Sequence, residues 1–323
     1  MARSRISGCR AGFSGGQVFP VGTTRGEAAD VVARPKTARE MEKEAAARRP
    51  SRGAPAPVPD GEAGAMLARR GLRPRAVRPE LPFPPDLEGE DAERLLSLLR
   101  HYAFRLFLRG AIQKPEGFSA DEATDYVEAA AARAFAGALV ELGIAERLGR
   151  GRYRLARRVT SFGPTLEWYL ARELEGRLGF DVMTGVKFHA TGIGGDLDLV
   201  AAAEGKLIYL EVKSSPPKHL SEDEVRAFLD RVVLLRPDIT LFVMDTALRL
   251  SDKVVPMLEA ELRRRAGRPM DAPRRVRRET WAITPHFYAV NSRPDLVANI
   301  AVAIARGLSE LAPPVPWRAS DGT

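Results

Sequence analysis

GIGGDLDLVAAAEGKLIYLEVKSS, residues 192–215, is the stretch on which the fold turns. Two strand-like runs, one beginning DLDLVA at 196 and the other KLIYLEVK at 206–213, flank Glu204-Gly205. An X-Gly pair between such runs favours a two-residue hairpin, because glycine accepts the left-handed conformation that the turn demands. With Glu204 and Gly205 as the loop, antiparallel pairing sets Asp198 opposite Glu211 and Asp196 opposite Lys213. The side-chain period of two places all four on one sheet face, with Val200, Ala202, Leu207 and Tyr209. Leu197, Leu199, Ile208, Leu210 and Val212 form the other face, an apolar surface suited to a core.

Directly opposed carboxylates repel and raise each other's pKa. Such a pair suits a cation held between them. Two carboxylates and one backbone carbonyl, that of Val212, leave room for water and substrate oxygens, which matches Mg²⁺ (or Mn²⁺). Lys213, on the same face, is placed to orient a water or to meet charge on a phosphate. A metal, a positioned water and a cation are what phosphodiester hydrolysis requires. The bland reading is a solvated polar strand face with an ordinary Glu–Lys pair. An ExK triplet alone would not displace it; the strand–turn–strand frame and spacing do.

Asp198-x12-Glu211-Val212-Lys213 resembles the signature of the PD-(D/E)xK nuclease superfamily, the restriction-endonuclease-like fold. The contexts DLV and YLEVKSS are similar to its Holliday-junction-resolvase and Mrr-type branches. The resemblance covers about 160–245. It implies that Asp198 and Glu211 bind Mg²⁺, that Lys213 assists the attacking water, and that DNA is the substrate. It also implies a Glu on the helix before the first strand, a place Glu167 occupies in FGPTLEWYLARELEGRLGF. The expected activity is that of an Mg²⁺-dependent deoxyribonuclease, an endonuclease rather than an exonuclease. Many members act as dimers, so a homodimer is a further expectation. Rival readings are an inactive nuclease-fold binding module and a winged-helix transcription regulator.

Outward from the hairpin, 160–312 reads as one α/β domain with a mixed sheet flanked by helices. A helix over 164–178 and a strand over 180–188 precede the hairpin; helices over 221–235, 251–265 and 293–308 alternate with strands over 239–245 and 286–290 after it. ITLFVM (239–244) is continuously apolar, as in a strand buried on both faces. Ser292-Arg-Pro-Asp295 reads as a helix start. Ser214 and Lys218 follow the second hairpin strand and are candidate phosphate contacts.

Residues 86–158 read as a smaller, winged-helix-like domain. One apolar helix runs from Leu95 to Phe107, a second opens at Ser119, and a third covers 125–142 with Tyr126, Val127, Ala130, Phe135, Leu139 and Leu142 on its core side. Gly149-Arg150-Gly151 centres a hairpin. Residues 147–158 hold six arginines and no acid. In the winged-helix outline the third helix enters a groove and the hairpin lies on phosphate, through Arg150, Arg152 and Arg154. A second cluster, eight arginines in 263–278, reads as a loop able to close over DNA.

The net charge of +8 is carried by the first 80 residues, which hold sixteen Lys/Arg and eight Asp/Glu; the rest is formally neutral. This Ala-, Arg-, Gly- and Pro-rich stretch reads as a disordered basic tail and linker, 1–85, with a short helix near 37–49. It has something of an organellar transit peptide, but a flexible extension, or a start at Met41 or Met66, is the plainer expectation. Residues 313–323 read as a C-terminal tail. One cysteine, Cys9, excludes a disulfide framework and a cysteine zinc site, and histidines at 101, 189, 219 and 286 have no ligand spacing. With no long apolar run, a cytoplasmic protein without membrane association is expected.

Overall fold

The computed structural model describes residues 61–188 and 196–311. Expectations for residues 1–60, for His189 and for the 313–323 tail lie outside the described residues. Among the described residues there are two sheets. The larger is built from β1 (Pro74–Ala76), β5 (Asp181–Phe188), β6 (Leu197–Ala203), β7 (Lys206–Lys213), β8 (Ile239–Met244), β9 (Arg274–Arg277), β10 (Thr280–Thr284) and β11 (Phe287–Asn291), in the order β1-β5-β6-β7-β8-β11-β10-β9. β8 lies parallel to both β7 and β11; every other neighbouring pair is antiparallel. The fold is therefore α/β with an eight-stranded mixed sheet covered by helices.

The hairpin forms as its residues dictate. Glu204 and Gly205 have φ of 52° and 67°, the left-handed pair of a two-residue turn matched to strand twist. Pairs run from Ala203–Lys206 to Leu199–Leu210, which is the expected register. There the β6–β7 ladder ends, while β6 stays paired with β5 as far as Val186–Leu197. Asp198 thus stands where the two strands part.

Both faces of the central strands are buried. On one, Leu199, Ile208, Leu210, Leu241 and Val243 pack with α5 (Gly163–Leu178) and α8 (Leu296–Leu311). On the other, Val200, Ala202, Leu207, Tyr209, Phe242 and Met244 pack with α6 (Glu222–Leu235), α7 (Val254–Ala266) and α1 (Glu62–Arg69). β8 is buried at all six positions and divides its side chains alternately between the two cores, which is why its sequence reads as an unbroken apolar run. α8 approaches the sheet closely: a Cβ at Gly307 would lie 2.8 Å from Ile239 Cδ1.

The first described segment departs from expectation. Residues 61–76 fall within the expected tail, yet they form α1 and the edge strand β1. Ala63, Gly64 and Leu67 are buried, and Asp181 Oδ2 accepts from Ala63 N at 2.7 Å, satisfying one of the helix's orphan amides. Met66 lies in the middle of this helix, downstream of its first buried contacts.

Residues 89–155 hold α2 (Gly89–Arg100), α3 (Tyr102–Ile112), β2 (Phe118–Ser119), α4 (Ala129–Glu141), β3 (Ala145–Gly149) and β4 (Arg152–Leu155), with strand order β2-β4-β3. The single helix expected over 95–107 is two, divided at His101, whose ψ of 118° is extended. No helix opens at Ser119. That residue ends β2, and the following turn lies against α3 so closely that a Cβ at Gly110 would meet Ala123 O at 1.5 Å. The helix expected over 125–142 starts only at Ala129, and Tyr126, assigned to its core side, is 82% exposed. Phe104, Phe107, Phe118 and Tyr153 nevertheless belong to the same apolar cluster as Leu166, Leu210 and Tyr288, so this part and the large sheet share one core. A buried ion pair crosses it: Arg105 Nε donates to Asp245 Oδ1 at 3.0 Å, and Ser292 Oγ donates to the same oxygen at 2.6 Å. Ser292, expected to open the last helix, is therefore spent elsewhere; Asp295 caps α8 by accepting from Ala298 N at 2.7 Å.

Candidate functional site

The parting of β6 and β7 gathers the expected residues. Asp198 Oδ2 accepts from Val212 N at 2.7 Å, so a side chain takes the place of a ladder carbonyl and the backbone gap is closed. Val212 thus enters the site through its amide; its carbonyl lies on β7, between Glu211 and Lys213. Glu211 is 1% exposed and both of its oxygens are engaged. Oε1 accepts from Arg231 at 2.6 Å and pairs with Lys213 Nζ at 3.0 Å, while the Tyr209 hydroxyl donates to Oε2. Arg231 Nε also donates to Tyr209 Oη at 3.0 Å. Lys213 lies 3.7 Å from Glu224, which belongs to the Ser221 capping box that opens α6. α6 therefore supplies both Arg231 and Glu224, and α5 supplies Glu167 from the opposite layer.

The electrostatics identify these groups as neighbours. Burial pushes Glu167 up to about 8, with the charges of Asp198, Asp196 and Glu211 adding to the effect. Burial likewise pushes Asp198 up to about 7, helped by Glu211 and opposed by its bond to Val212 N. Lys213 is raised as well, but for the opposite reason. Burial pulls it down, but Glu211, Asp198 and Glu224 outweigh that and hold it above the ordinary lysine value. Two carboxyls raised first by burial and then by neighbouring carboxylates form a site short of positive charge.

A hard divalent cation fits that shortage. Glu167 and Asp198 are the donors whose charge is least balanced by protein cations, and oxygen ligands are what Mg²⁺ takes. Glu211 fits less directly, because Arg231, Tyr209 and Lys213 already occupy it. Among the described residues no three His, Cys, Asp or Glu side chains converge closely enough to hold an ion without side-chain movement.

The remaining candidates are scattered. Asp196 is exposed and paired with Lys187 at 3.2 Å, consistent with a strand-start residue. Ser214 lines a cleft of about 270 Å³ with Arg109, Gln113, Ser161 and His219, directly beyond Lys213. Lys218 is exposed, and its carbonyl accepts from Lys253 Nζ at 2.9 Å. Arg150 occupies the tip of the β3–β4 hairpin at φ 51°, between two left-handed glycines. Arg152 donates to Gly117 O at 3.0 Å, and Arg154 pairs with Glu146 at 3.2 Å, so two of the three hairpin arginines already have partners.

The second arginine cluster is mostly not a loop; only Arg268, in 267–273, and Arg278, in the β9–β10 turn, lie outside helix and strand. Arg263, Arg264 and Arg265 lie on α7 in ion pairs with Glu259 and Glu261, and Arg274–Arg277 is the edge strand β9. Tyr209 could have been found from its place two residues before Glu211 on the same face. Arg231 and Glu224 could not, since nothing in a helix sequence says which turn passes over a strand thirteen or more residues away.

No family model matches the chain, and no curated protein matches it either. Among solved structures it is similar to protein VC1899 from Vibrio cholerae, at 13% identity and a TM-score of 0.45 over 76% of this chain and 61% of that one. It is also similar to Can2 from Sulfobacillus thermosulfidooxidans in complex with cyclic tetra-adenylate, at 12% identity and a TM-score of 0.40 over 75% and 59%. The chain thus spans about three fifths of the length of each.

Proposed function

We propose that the chain is a metal-dependent nuclease that hydrolyses DNA phosphodiester bonds. The observation that carries this reading is that Glu167, Asp198, Glu211 and Lys213 lie within one electrostatic neighbourhood where β6 and β7 part, with two carboxyls held unusually high by burial and by other carboxylates. Perturbed groups of opposite sign at one place mark functional sites more often than plain surfaces. Asp198 and Glu167 would hold Mg²⁺, joined by Glu211, and the bound ion would supply Lewis-acid polarisation of the phosphate and a more acidic water. Lys213, charged and tethered to Glu211, directs its ammonium at the water or at the phosphate oxygens. Arg231 and the Tyr209 hydroxyl hold Glu211 in position. Arg150 at the hairpin tip would meet DNA phosphate. The exposed surface of α4 is mostly alanine with Arg133, which offers little to read base edges, so contacts from this part would be independent of sequence.

The test is an assay of wild type and Lys213→Ala on supercoiled plasmid, single-stranded DNA, a four-way junction and RNA, with Mg²⁺, Mn²⁺ or EDTA. Metal-dependent DNA cleavage reduced by roughly 10²–10⁴-fold in the variant is expected. Metal-independent cleavage, or equal activity in the variant, overturns the reading. The full engagement of Glu211 favours one second reading, a binding module in which that residue is structural. It requires that Mg²⁺ leave the melting temperature unchanged.

A further inference from the structure

A second concave site lies on the same edge of the large sheet. Parallel pairing aligns Lys213 with Met244 and Met244 with Asn291, so the C-terminal ends of β7, β8 and β11 lie side by side. Just beyond the last two, Arg249, Ser251, Arg293 and the β9–β10 turn at Arg278-Glu279 enclose a cleft of about 560 Å³, with Arg275 on its wall. Four arginines and one carboxylate line it. The carboxylate is already committed: Glu279 accepts from Leu250 N at 3.0 Å, which ties the Arg249 loop to the turn, and Arg275 stands 4.0 Å away. Arg275 itself lies over the Trp281 ring, 4.8 Å from its centroid. The side chains of Arg249, Arg278 and Arg293 make no ion pair or hydrogen bond among the described residues. Elsewhere in the sheet domain most arginines have a carboxylate, as on α7. Three exposed guanidiniums without a protein counter-charge around one cleft favour anionic oxygens, and planar guanidinium forks match phosphate geometry.

We infer that this cleft is a phosphate-binding site that holds a nucleic-acid strand on the sheet edge. Two strand spacings separate it from Lys213, roughly 10 Å. That is about three nucleotides at the 3.4 Å charge spacing of one strand of a duplex. The inference rests on the nuclease reading, because it takes the strand held here to be the one that reaches Lys213.

The experiment uses the full chain with Lys213→Ala, so that nothing is cut, and a labelled single-stranded DNA 12-mer followed by fluorescence anisotropy in EDTA over a range of KCl. Arg249→Gln, Arg278→Gln and Arg293→Gln are combined. A second protein carries Arg94→Gln, Arg172→Gln and Arg306→Gln, which remove the same charge from other surfaces. Loss of three phosphate contacts is expected to lower the slope of log affinity against log salt by about 2 and the affinity at 0.1 M salt by about tenfold or more. The control triple is expected to do neither. No binding, an unchanged slope in the cleft variant, or equal weakening in the control overturns the proposal. Tight binding of ATP or inorganic pyrophosphate that the cleft variant loses, with no binding of the 12-mer, also overturns it and assigns the cleft to a small phosphorylated molecule. Should wild type bind the 12-mer through the cleft yet cut no DNA, the nuclease reading fails while the cleft assignment stands.

Discussion

Glu167 and Asp198 hold protons that the unfolded chain has already given up, and that difference governs how stability depends on pH. Their folded values lie above the unfolded ones. Between the ordinary carboxylate range near 4 and the folded values near 7 and 8, the folded state therefore binds more protons. The contribution of these groups to stability falls as pH rises across that window and levels off above it. Without metal, thermal melts should show a melting temperature that declines from pH 6 to pH 8.5, and Glu167→Gln should flatten that decline. Mg²⁺ competes with those protons, so the melting-temperature gain from millimolar Mg²⁺ should be larger at pH 8.5 than at pH 6; a gain independent of pH would remove these carboxyls from metal binding. Arg231 belongs to this scale too. Arg231→Ala leaves Glu211 buried without its closest cation, and urea titration should register a loss of about 3–5 kcal/mol.

At the scale of elements, the hairpin and the last helix make separable contributions. Gly205 has open space around its missing Cβ, so Gly205→Ala tests backbone strain alone; about 1–2 kcal/mol should be lost with an unchanged urea m-value. Asp295→Ala removes the cap of α8 and should cost about 1 kcal/mol in the same measurement. Elements of this kind were legible in advance because local chemistry decides them. A glycine at a left-handed turn, an alternating strand and an apolar run each state their conformation within ten residues. The elements missed were those set by distant contacts. α1 and β1 read as part of a tail because their composition is tail-like, and it is Asp181, the apolar core beneath α1 and the free edge of β5 that give them partners. β9 read as a charged loop because its four residues carry three arginines, and pairing with β10 supplies the reason to extend.

At the scale of the whole molecule, the small three-stranded unit and the large sheet share an apolar cluster and the buried Arg105–Asp245 pair. The described body should therefore unfold as one. Tryptophan fluorescence and far-UV circular dichroism should give coincident transitions, and Asp245→Ala, which strands Arg105 in the core, should lower stability by about 3–5 kcal/mol without separating them. The hairpin, its register, the doubly buried central strand and the placement of Asp198, Glu211 and Lys213 on one face are written in the order of the residues. Those follow from turn chemistry and a period of two, which act over neighbouring residues. Tertiary packing was needed to bring Arg231 onto Glu211, to set Glu167 close enough to share its field, and to gather Arg249, Arg278 and Arg293 in one cleft. These groups come from segments separated by tens of residues, and packing of the helices and loops around the sheet brings them together.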